Sequence, residues 1–322
     1  MTDLDERIDQ RSRAVTPGRS VVLIVNLHAR RGAAAYDRAR QLLAEKGFSV
    51  TQGFPVRDAA RIPELVAGAV AQGHRFVVIG GGDGTISAAF DVLAFSDTVC
   101  GILPLGTANS FARSLHLPLD LDAAVDVLDK GQALQVDLGR IDGRYFGTAA
   151  AIGLSAAIGR RKPRVLKKLI GRAAYPAVAA VVLPQFKPFP CTLHFASGGQ
   201  RRWDDVLEVR IANASYEGGV EAAPDADVTS GDLVVHLVTG RSKWRLVSTW
   251  SKIVAGLDPN GRGFHALRAE RFRIDTEPPH DINIDGETGT RTPADVSIAR
   301  KALTVLVPAS SVPEHRRSRP AD

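Results

Sequence analysis

The sequence predicts an α/β protein in two parts, an N-terminal three-layer α/β domain followed by a C-terminal β-rich, sandwich-like domain. Three observations predict it. From residue 21 to about 132, short apolar runs alternate with helical periodicity, the signature of βαβ units around a parallel sheet. Beyond about 132 the pattern becomes short strands and turn residues, with one helical interruption. A length of 322 residues, 44% hydrophobic and 24% charged, is enough for two cores.

In the first part, Val21 to Leu27 reads as a buried strand, Ala33 to Lys46 as a helix ended by Gly47, and Phe48 to Gly53 as a second strand. Ile62 to Gln72 reads as a helix, Arg75 to Ile79 as a strand, Thr85 to Ala94 as a helix and Val99 to Leu103 as a strand. Helices are expected over Gly106 to Leu115 and Leu121 to Leu128. In the second part, Gln135 to Arg140 and Arg144 to Thr148 flank Asp142-Gly143, a hairpin signal. Strands are expected over Cys191 to Ala196, Val206 to Ala212, Leu233 to Val238, Phe272 to Ile274, Ile282 to Ile284 and Leu303 to Val307, with a helix over about Ser242 to Ala255. The expected boundaries are a polar lead at 1–20, the α/β domain at 21–132 and the β-rich domain at 133–300. A strand at 301–310 that could return to the first domain, and a disordered basic tail at 311–322, complete the expectation.

Composition narrows the classes. A formal net charge of +6 fits an anionic partner such as a nucleotide or an acidic membrane, or simply a solvated basic surface. Cys100 and Cys191 both sit in apolar strand-like runs, so core thiols and a reducing compartment are expected rather than a disulfide framework. The polar lead has no apolar signal-peptide core. The most apolar stretch, Ala173 to Leu183, falls short of the roughly 20 residues a membrane span needs.

The chemistry is concentrated in three clusters. In the first, Val77-Val78-Ile79 runs into Gly80-Gly81-Gly82-Asp83-Gly84-Thr85 and then into a helical pattern. Glycines let backbone N–H groups approach an anion and reach dihedrals closed to other residues, and a following helix offers its positive end. The bland alternative is a tight turn. Asp83 would repel a polyphosphate, so it needs a bridging Mg²⁺, a proton to remove, or a structural hydrogen-bonding role. The loop is neither a Walker loop nor a dinucleotide fingerprint, and the chain has no protein-kinase H-R-D or D-F-G set.

The second cluster follows the next strand as Pro104-Leu105-Gly106-Thr107-Ala108-Asn109-Ser110-Phe111-Ala112-Arg113. Loops at neighbouring parallel strand ends converge. Gly106 and Thr107 would supply donors at a helix start, and Asn109 could bond phosphate, nucleotide or the facing loop. Taken alone, Thr107 could equally be a helix cap. The third cluster, Asp281-Ile-Asn-Ile-Asp285-Gly286-Glu287-Thr288, is a strand ending in a turn that carries a carboxylate. Paired with a phosphate loop, Glu287 becomes the first choice for a general base, with Asp83 as its rival.

These clusters, in this order and spacing, resemble the diacylglycerol kinase catalytic-domain family, and within it the soluble bacterial lipid kinases related to sphingosine and ceramide kinases. The resemblance covers nearly the whole chain. It rests on Gly81-Gly82-Asp83-Gly84-Thr85, on Pro104-x-Gly106-Thr107-x-Asn109-x-Phe111-Ala112 and on Asp285-Gly286-Glu287. Asn26 resembles the family's early asparagine, and Ala223-Pro224-Asp225-Ala226-Asp227 its second-domain motif.

The resemblance implies Mg²⁺- and ATP-dependent phosphorylation of a lipid hydroxyl such as that of diacylglycerol, in a cleft between the two domains. It implies a cytoplasmic protein, peripheral at the inner membrane face, with a homodimer compatible and no nucleic-acid partner. Gly80 to Thr85 would cradle the ATP phosphates, Thr107 would contact the nucleotide with Gly106 and Asn109 beside it, and Asn26 would order the loop or touch nucleotide. Glu287 would accept the proton, Asp83 would organise Mg²⁺ and the transferred phosphoryl group, and Asp285 would support Glu287 or Mg²⁺.

The chain departs from the family pattern in three places. Asn26 is followed by Leu27-His28-Ala29-Arg30-Arg31-Gly32 rather than Asn-Pro, and Asn109-Ser110 replaces Asn-Asp. Ser230-Gly231-Asp232-Leu233-Val234 replaces Asp-Gly-Leu-Leu-Asp, losing the aspartate associated with a structural Mg²⁺ site, for which Asp227 or Asp232 could substitute. The cationic and apolar stretch from Arg160 to Arg172, with Tyr175 to Leu183 after it, reads either as a contact for an anionic membrane surface or as a solvated helix face beside a core helix. The rival readings are an NAD kinase, which shares Gly-Gly-Asp-Gly-Thr, and a catalytically weak nucleotide- or lipid-binding regulator.

Overall fold

The computed structural model describes residues 19–153 and 187–311. The stretch from Arg160 to Leu183 therefore lies outside the described residues, as do 1–18 and 312–322. The described residues divide into two compact units, 19–138 with 300–311, and 139–153 with 187–299.

The first unit begins with β1 (Ser20–Asn26), α1 (Gly32–Glu45), β2 (Ser49–Val56), α2 (Ile62–Ala71) and β3 (Phe76–Gly81). The short helices α3 (Asp83–Ser87) and α4 (Phe90–Leu93) precede β4 (Val99–Pro104), and α5 (Ser110–Ser114) and α6 (Leu121–Lys130) follow it. Strands β2, β1, β3 and β4 pair in that order, all parallel. Val21 to Val25 and Val77 to Ile79 are fully buried, as expected of strands covered on both faces. Helix α6 shows its sequence logic at both ends. The Asp120 side chain accepts from the Ala123 N–H at 3.1 Å to cap its start, and Gly131 follows its end.

Two helical expectations change. The single helix predicted over Thr85 to Ala94 is two, because Ala89 and Val92 bond to the carbonyls three residues back, at 3.1 and 3.2 Å, and tighten the turn between them. The helix predicted from Gly106 starts only at Ser110. Asn109 has φ +50° and its side chain folds back onto Gly106, a local alternative that competes with helix formation.

The chain enters the second unit along β5 (Gln132–Ile141), then forms β6 (Arg144–Phe146) and β7 (Ala149–Gly153). Asp142 and Gly143, at φ +46° and +93°, make the turn that the hairpin signal predicts. There follow β8 (Phe189–Phe195), β9 (Gln200–Ala212), β10 (Tyr216–Glu217), β11 (Val220–Glu221), β12 (Leu233–Thr239) and α7 (Lys243–Val254). The last strands are β13 (Phe264–Ala269), β14 (Arg271–Thr276), β15 (Asp281–Ile284), β16 (Glu287–Arg291) and β17 (Ala294–Val307).

The first half of β9 pairs with β8, and its second half lies between β7 and β12. Phe146, Ile152, Leu193, Val209, Leu237, Phe272 and Ile282 share one core. The end of β17 belongs to the first unit, where Val305 pairs in parallel with Cys100 of β4. Cys100 and Cys191 are buried free thiols, each pushed up to about 12 by burial.

A buried charge cluster anchors α7. The Arg210 guanidinium bonds Glu208 at 3.1 Å and Glu217 at 2.5 Å, and lies 3.9 Å above the Trp250 ring. Such a pair contributes little net stability, but loss of one partner would strand a buried charge.

Candidate active site

In the first unit the site is built at the C-terminal ends of β1, β3 and β4, where open α/β sheets present ligand-binding loops. The strand order reverses between β1 and β3. Asn26 ends β1 at that point and is 8% exposed. Its Nδ2 donates to Thr85 Oγ1 at 2.9 Å, and its Oδ1 accepts from the His28 N–H at 2.9 Å, so it ties the first loop to the glycine loop.

The glycines are needed for space, not for left-handed dihedrals. None of Gly80, Gly81, Gly82, Gly84 or Gly106 has a positive φ, which corrects one part of the sequence reading. A Cβ on Gly81 would stand 2.3 Å from Thr85 Cβ. One on Gly106 would stand 2.4 Å from Gly82 Cα and 2.7 Å from Asn109 Oδ1. The two glycine loops therefore touch backbone to backbone, and the Leu105 N–H to Gly81 carbonyl bond at 2.8 Å ties them together. Gly84 is different. It is exposed, and a Cβ there would meet nothing within 4 Å, leaving room for a ligand atom to come close to the start of α3.

Asp83 stands between the loops. Its Oδ1 accepts from the Phe111 N–H at 3.2 Å, so the carboxylate of the first loop caps the short helix of the second. Burial raises its pKa from the usual carboxylate range, while the backbone N–H groups of Phe111, Ser110, Asp83 and Asn109 pull the other way.

Asn109 is buried. Its Oδ1 accepts from the Gly106 N–H at 2.8 Å and its Nδ2 donates to the Gly106 carbonyl at 3.1 Å, which shapes the loop from within. Thr107 lies in the loop, exposed and before the helix, so it is not the helix cap. Arg31 braces the second loop from outside. Its backbone N–H bonds the Leu105 carbonyl at 3.2 Å and its Nη2 the Leu119 carbonyl at 3.0 Å.

In the second unit, Asp285 and Gly286 make a left-handed turn at φ +47° and +90° between β15 and β16. Asp285 Oδ2 accepts from the Gly147 N–H at 2.9 Å and Oδ1 from the Thr148 N–H at 2.9 Å, with the Thr148 hydroxyl bonded to Oδ1 as well. Its own N–H donates to the Ala149 carbonyl at 3.0 Å. This side chain seats the turn, and Glu287, next along, is exposed at the start of β16. The Gly147-Thr148 seat was missed in the sequence, where Asp285-Gly286 is visible but its receiving segment, 137 residues away, carries no signal.

The residues named for a structural Mg²⁺ are otherwise engaged. Asp232 is gripped by Arg268, whose Nε and Nη2 donate to the two carboxylate oxygens at 2.7 Å each, while Arg268 Nη1 donates to the Asp225 carbonyl at 2.8 Å. Asp227 Oδ1 accepts from the Thr229 N–H at 2.7 Å and hydroxyl at 2.9 Å within its own turn. The Asp232 carboxylate is already paired with a guanidinium and the Asp227 carboxylate is bonded within its own turn, so this donor set does not fit Mg²⁺. Among the described residues no cluster of three or more His, Cys, Asp or Glu side chains could hold a metal ion.

Comparison with known proteins agrees with this geometry. The profile of the diacylglycerol kinase catalytic domain matches residues 20–141, and that of the YegS C-terminal NAD kinase beta sandwich-like domain matches 148–307. A diacylglycerol kinase of Mycobacterium tuberculosis is 32% identical over 258 residues, covering 78% of this chain and 82% of the relative. A diacylglycerol kinase of Staphylococcus saprophyticus is 25% identical over 268 residues, covering 83% and 87%. Among solved structures, a diacylglycerol kinase from Bacillus anthracis superposes with a TM-score of 0.73 at 20% identity, covering 92% of this chain and all of that one, a likeness of fold. An α/β unit with paired glycine loops, followed by a β-rich unit with a carboxylate-bearing turn, is the build of a lipid kinase. The chain belongs to the diacylglycerol kinase catalytic-domain family.

Proposed function

We propose that this protein transfers the γ-phosphoryl group of ATP to a hydroxyl of a lipid such as diacylglycerol. The observation that carries the proposal is the pair of glycine loops packed through Gly82 and Gly106, with open space at Gly84. Backbone N–H groups of the Gly80 to Thr85 loop would hold the phosphates, Thr107 would contact the nucleotide, and Asn26 and Asn109 would keep both loops in shape. The donor would be ATP as its Mg²⁺ complex, whose charge neutralisation serves phosphoryl transfer generally. No protein ligand to that ion is assigned, and Asp83 is read as the group that joins the loops.

Glu287 would accept the proton as the lipid oxygen bonds to phosphorus and the bond to the ADP oxygen breaks. Its exposure supports this role, since a base must reach its substrate. Asp285 acts as a positioning residue, through the turn it seats.

The test is mass-resolved transfer from ATP to a panel of extracted membrane lipids, with NAD as a separate acceptor. Glu287→Gln should lower turnover by about 10²-fold or more, the usual range for a general base, with ATP affinity unchanged. Near-normal single-turnover transfer by that variant would reject Glu287 as the base. Transfer to NAD alone would make the chain an NAD kinase, and ATP binding without transfer to any acceptor would make it a regulator.

A further inference from the structure

We propose that helix α7 and the turn after it form a docking surface for a bilayer rich in anionic phospholipid. The reason for this protein to meet a bilayer rests on the lipid-substrate reading above. The surface itself is argued from α7.

Helix α7 is held to its unit by one face, on which Leu246 and Thr249 are buried and Trp250 lies under Arg210. The opposite face carries exposed apolar side chains, with the exposed Ser248 and Ser251 among them, and no described residue covers it. Trp244 is 76% exposed, Val247 38%, Val254 63% and Leu257 60%. Their spacing of three, seven and three residues puts Trp244, Val247 and Val254 on one stripe, with Leu257 continuing it past the helix end. Among the described residues, only Phe95 is also an exposed large hydrophobic. Among the described residues, four of the five large exposed hydrophobics are thus gathered on this helix and the turn after it.

Charge selects the occupant. From Arg241 to Leu257 there is no acidic residue, while Arg241, Lys243, Arg245 and Lys252 lie in that span and Arg262 follows the turn. Beside the stripe is an open concavity of about 410 Å³ whose lining includes Trp244, Arg245, Ser248, Lys252 and Arg262. Three cations and a hydroxyl around a hollow, next to an exposed indole, match a phosphodiester headgroup with its acyl chains alongside. A protein partner would have to supply both an apolar strip and a dense negative charge, whereas an anionic bilayer offers both as one continuous surface. Arg241 is partly neutralised by Asp205 at 3.2 Å, and Asp258 ends the stripe, so the attraction rests on Arg245, Lys252 and Arg262.

The experiment is co-sedimentation of the full chain, without ATP, with vesicles of phosphatidylglycerol and phosphatidylcholine or of phosphatidylcholine alone. Binding should require phosphatidylglycerol and weaken as salt is raised. The double variant Trp244→Ser, Val254→Ser should bind at least about tenfold more weakly, as removal of that much inserted apolar surface implies. Lys252→Glu with Arg262→Glu should do the same, and both variants should keep the wild-type melting temperature and phosphorylate a detergent-dispersed short-chain diacylglycerol at the wild-type rate. Quenching of tryptophan fluorescence by brominated phosphatidylglycerol should be reduced in Trp244→Phe. Equal vesicle binding by wild type and both double variants would overturn the proposal. So would a wild-type dimer that the Trp244 variant turns into a monomer with vesicle binding unchanged, since a second copy would then cover the stripe. Vesicle binding that follows these expectations in a protein that phosphorylates no lipid would uphold the docking surface and overturn the kinase reading.

Discussion

Asp83 shows how much depends on the surroundings of one side chain. Burial holds its pKa up, so its ionised form costs stability in the folded chain. The stabilising contribution is complete below the unfolded value, near 3.9, and is lost as pH rises through the raised folded value. Asp83→Asn keeps an oxygen to accept from the Phe111 N–H and carries no charge. Its stability relative to wild type, from urea unfolding, should therefore increase between about pH 4 and pH 7. Asp83→Ala leaves that N–H unpaired and should lose about 1 kcal/mol. A flat difference across that range would show that the carboxylate is not penalised by its site.

At this scale the sequence was informative about residue type and silent about partner. It named Asp83, Asn26 and Asn109 as site residues, but a single chain carries no trace of which N–H each will bond. The Asp285 seat and the Arg268 grip arise from contacts between distant segments, and Arg268 itself lies in a strand that the periodicity did not reveal.

At the scale of elements, the two glycine loops behave as one part because they share a contact with no room for a methyl group. Gly106→Ala should push them apart and cost about 1–3 kcal/mol, as overpacking does, with ATP binding lost. Gly84→Ala should leave thermal stability unchanged or raise it by up to about 1 kcal/mol, since its position in α3 is open and helical. If that open space receives phosphate as proposed, ATP affinity should nevertheless fall, because the added methyl group would occupy it. Calorimetric titration beside thermal unfolding would check both, and full ATP affinity in Gly84→Ala would remove that loop position from the phosphate cradle.

The elements themselves were legible where a strong period met a plain stop signal. Buried parallel strands, α6 between Asp120 and Gly131, and the Asp142-Gly143 hairpin all follow from local residues. Short edge and connecting strands such as β13 and β16 were not legible, because His265 and Arg268 interrupt the apolar pattern of β13 and β16 carries no large apolar side chain. The early part of the second loop misled for a different reason. Its composition is compatible with helix, and only the fold-back of Asn109 onto Gly106 decides against it.

For the whole molecule, the sequence carried the change of grammar near residue 132, but not the path of single strands. The second half of β17 completes the first unit, with Leu303, Val305 and Val307 fully buried there. The first unit is therefore discontinuous in sequence, and its core draws on residues far from its glycine loops. No helix among the described residues is long and apolar enough to cross a membrane. Among the described residues, the large exposed apolar side chains other than Phe95 lie on α7 and the turn after it.

The Arg268 grip on Asp232 and the Asp225 carbonyl bears on how this unit responds to its medium. If a guanidinium closes the 225–232 turn, EDTA should leave the melting temperature of the nucleotide-free protein unchanged, and Arg268→Ala should lower it, corresponding to about 1.5–3 kcal/mol for lost hydrogen bonds to a charged group. A marked drop with EDTA would show that a metal ion holds the turn instead. A divalent ion bound from solution leaves when it becomes scarce, whereas a side chain of the same polypeptide keeps a fixed local concentration at any dilution. Through Arg268 this turn carries its own counter-ion, inherited with the gene rather than drawn from the cell's magnesium pool.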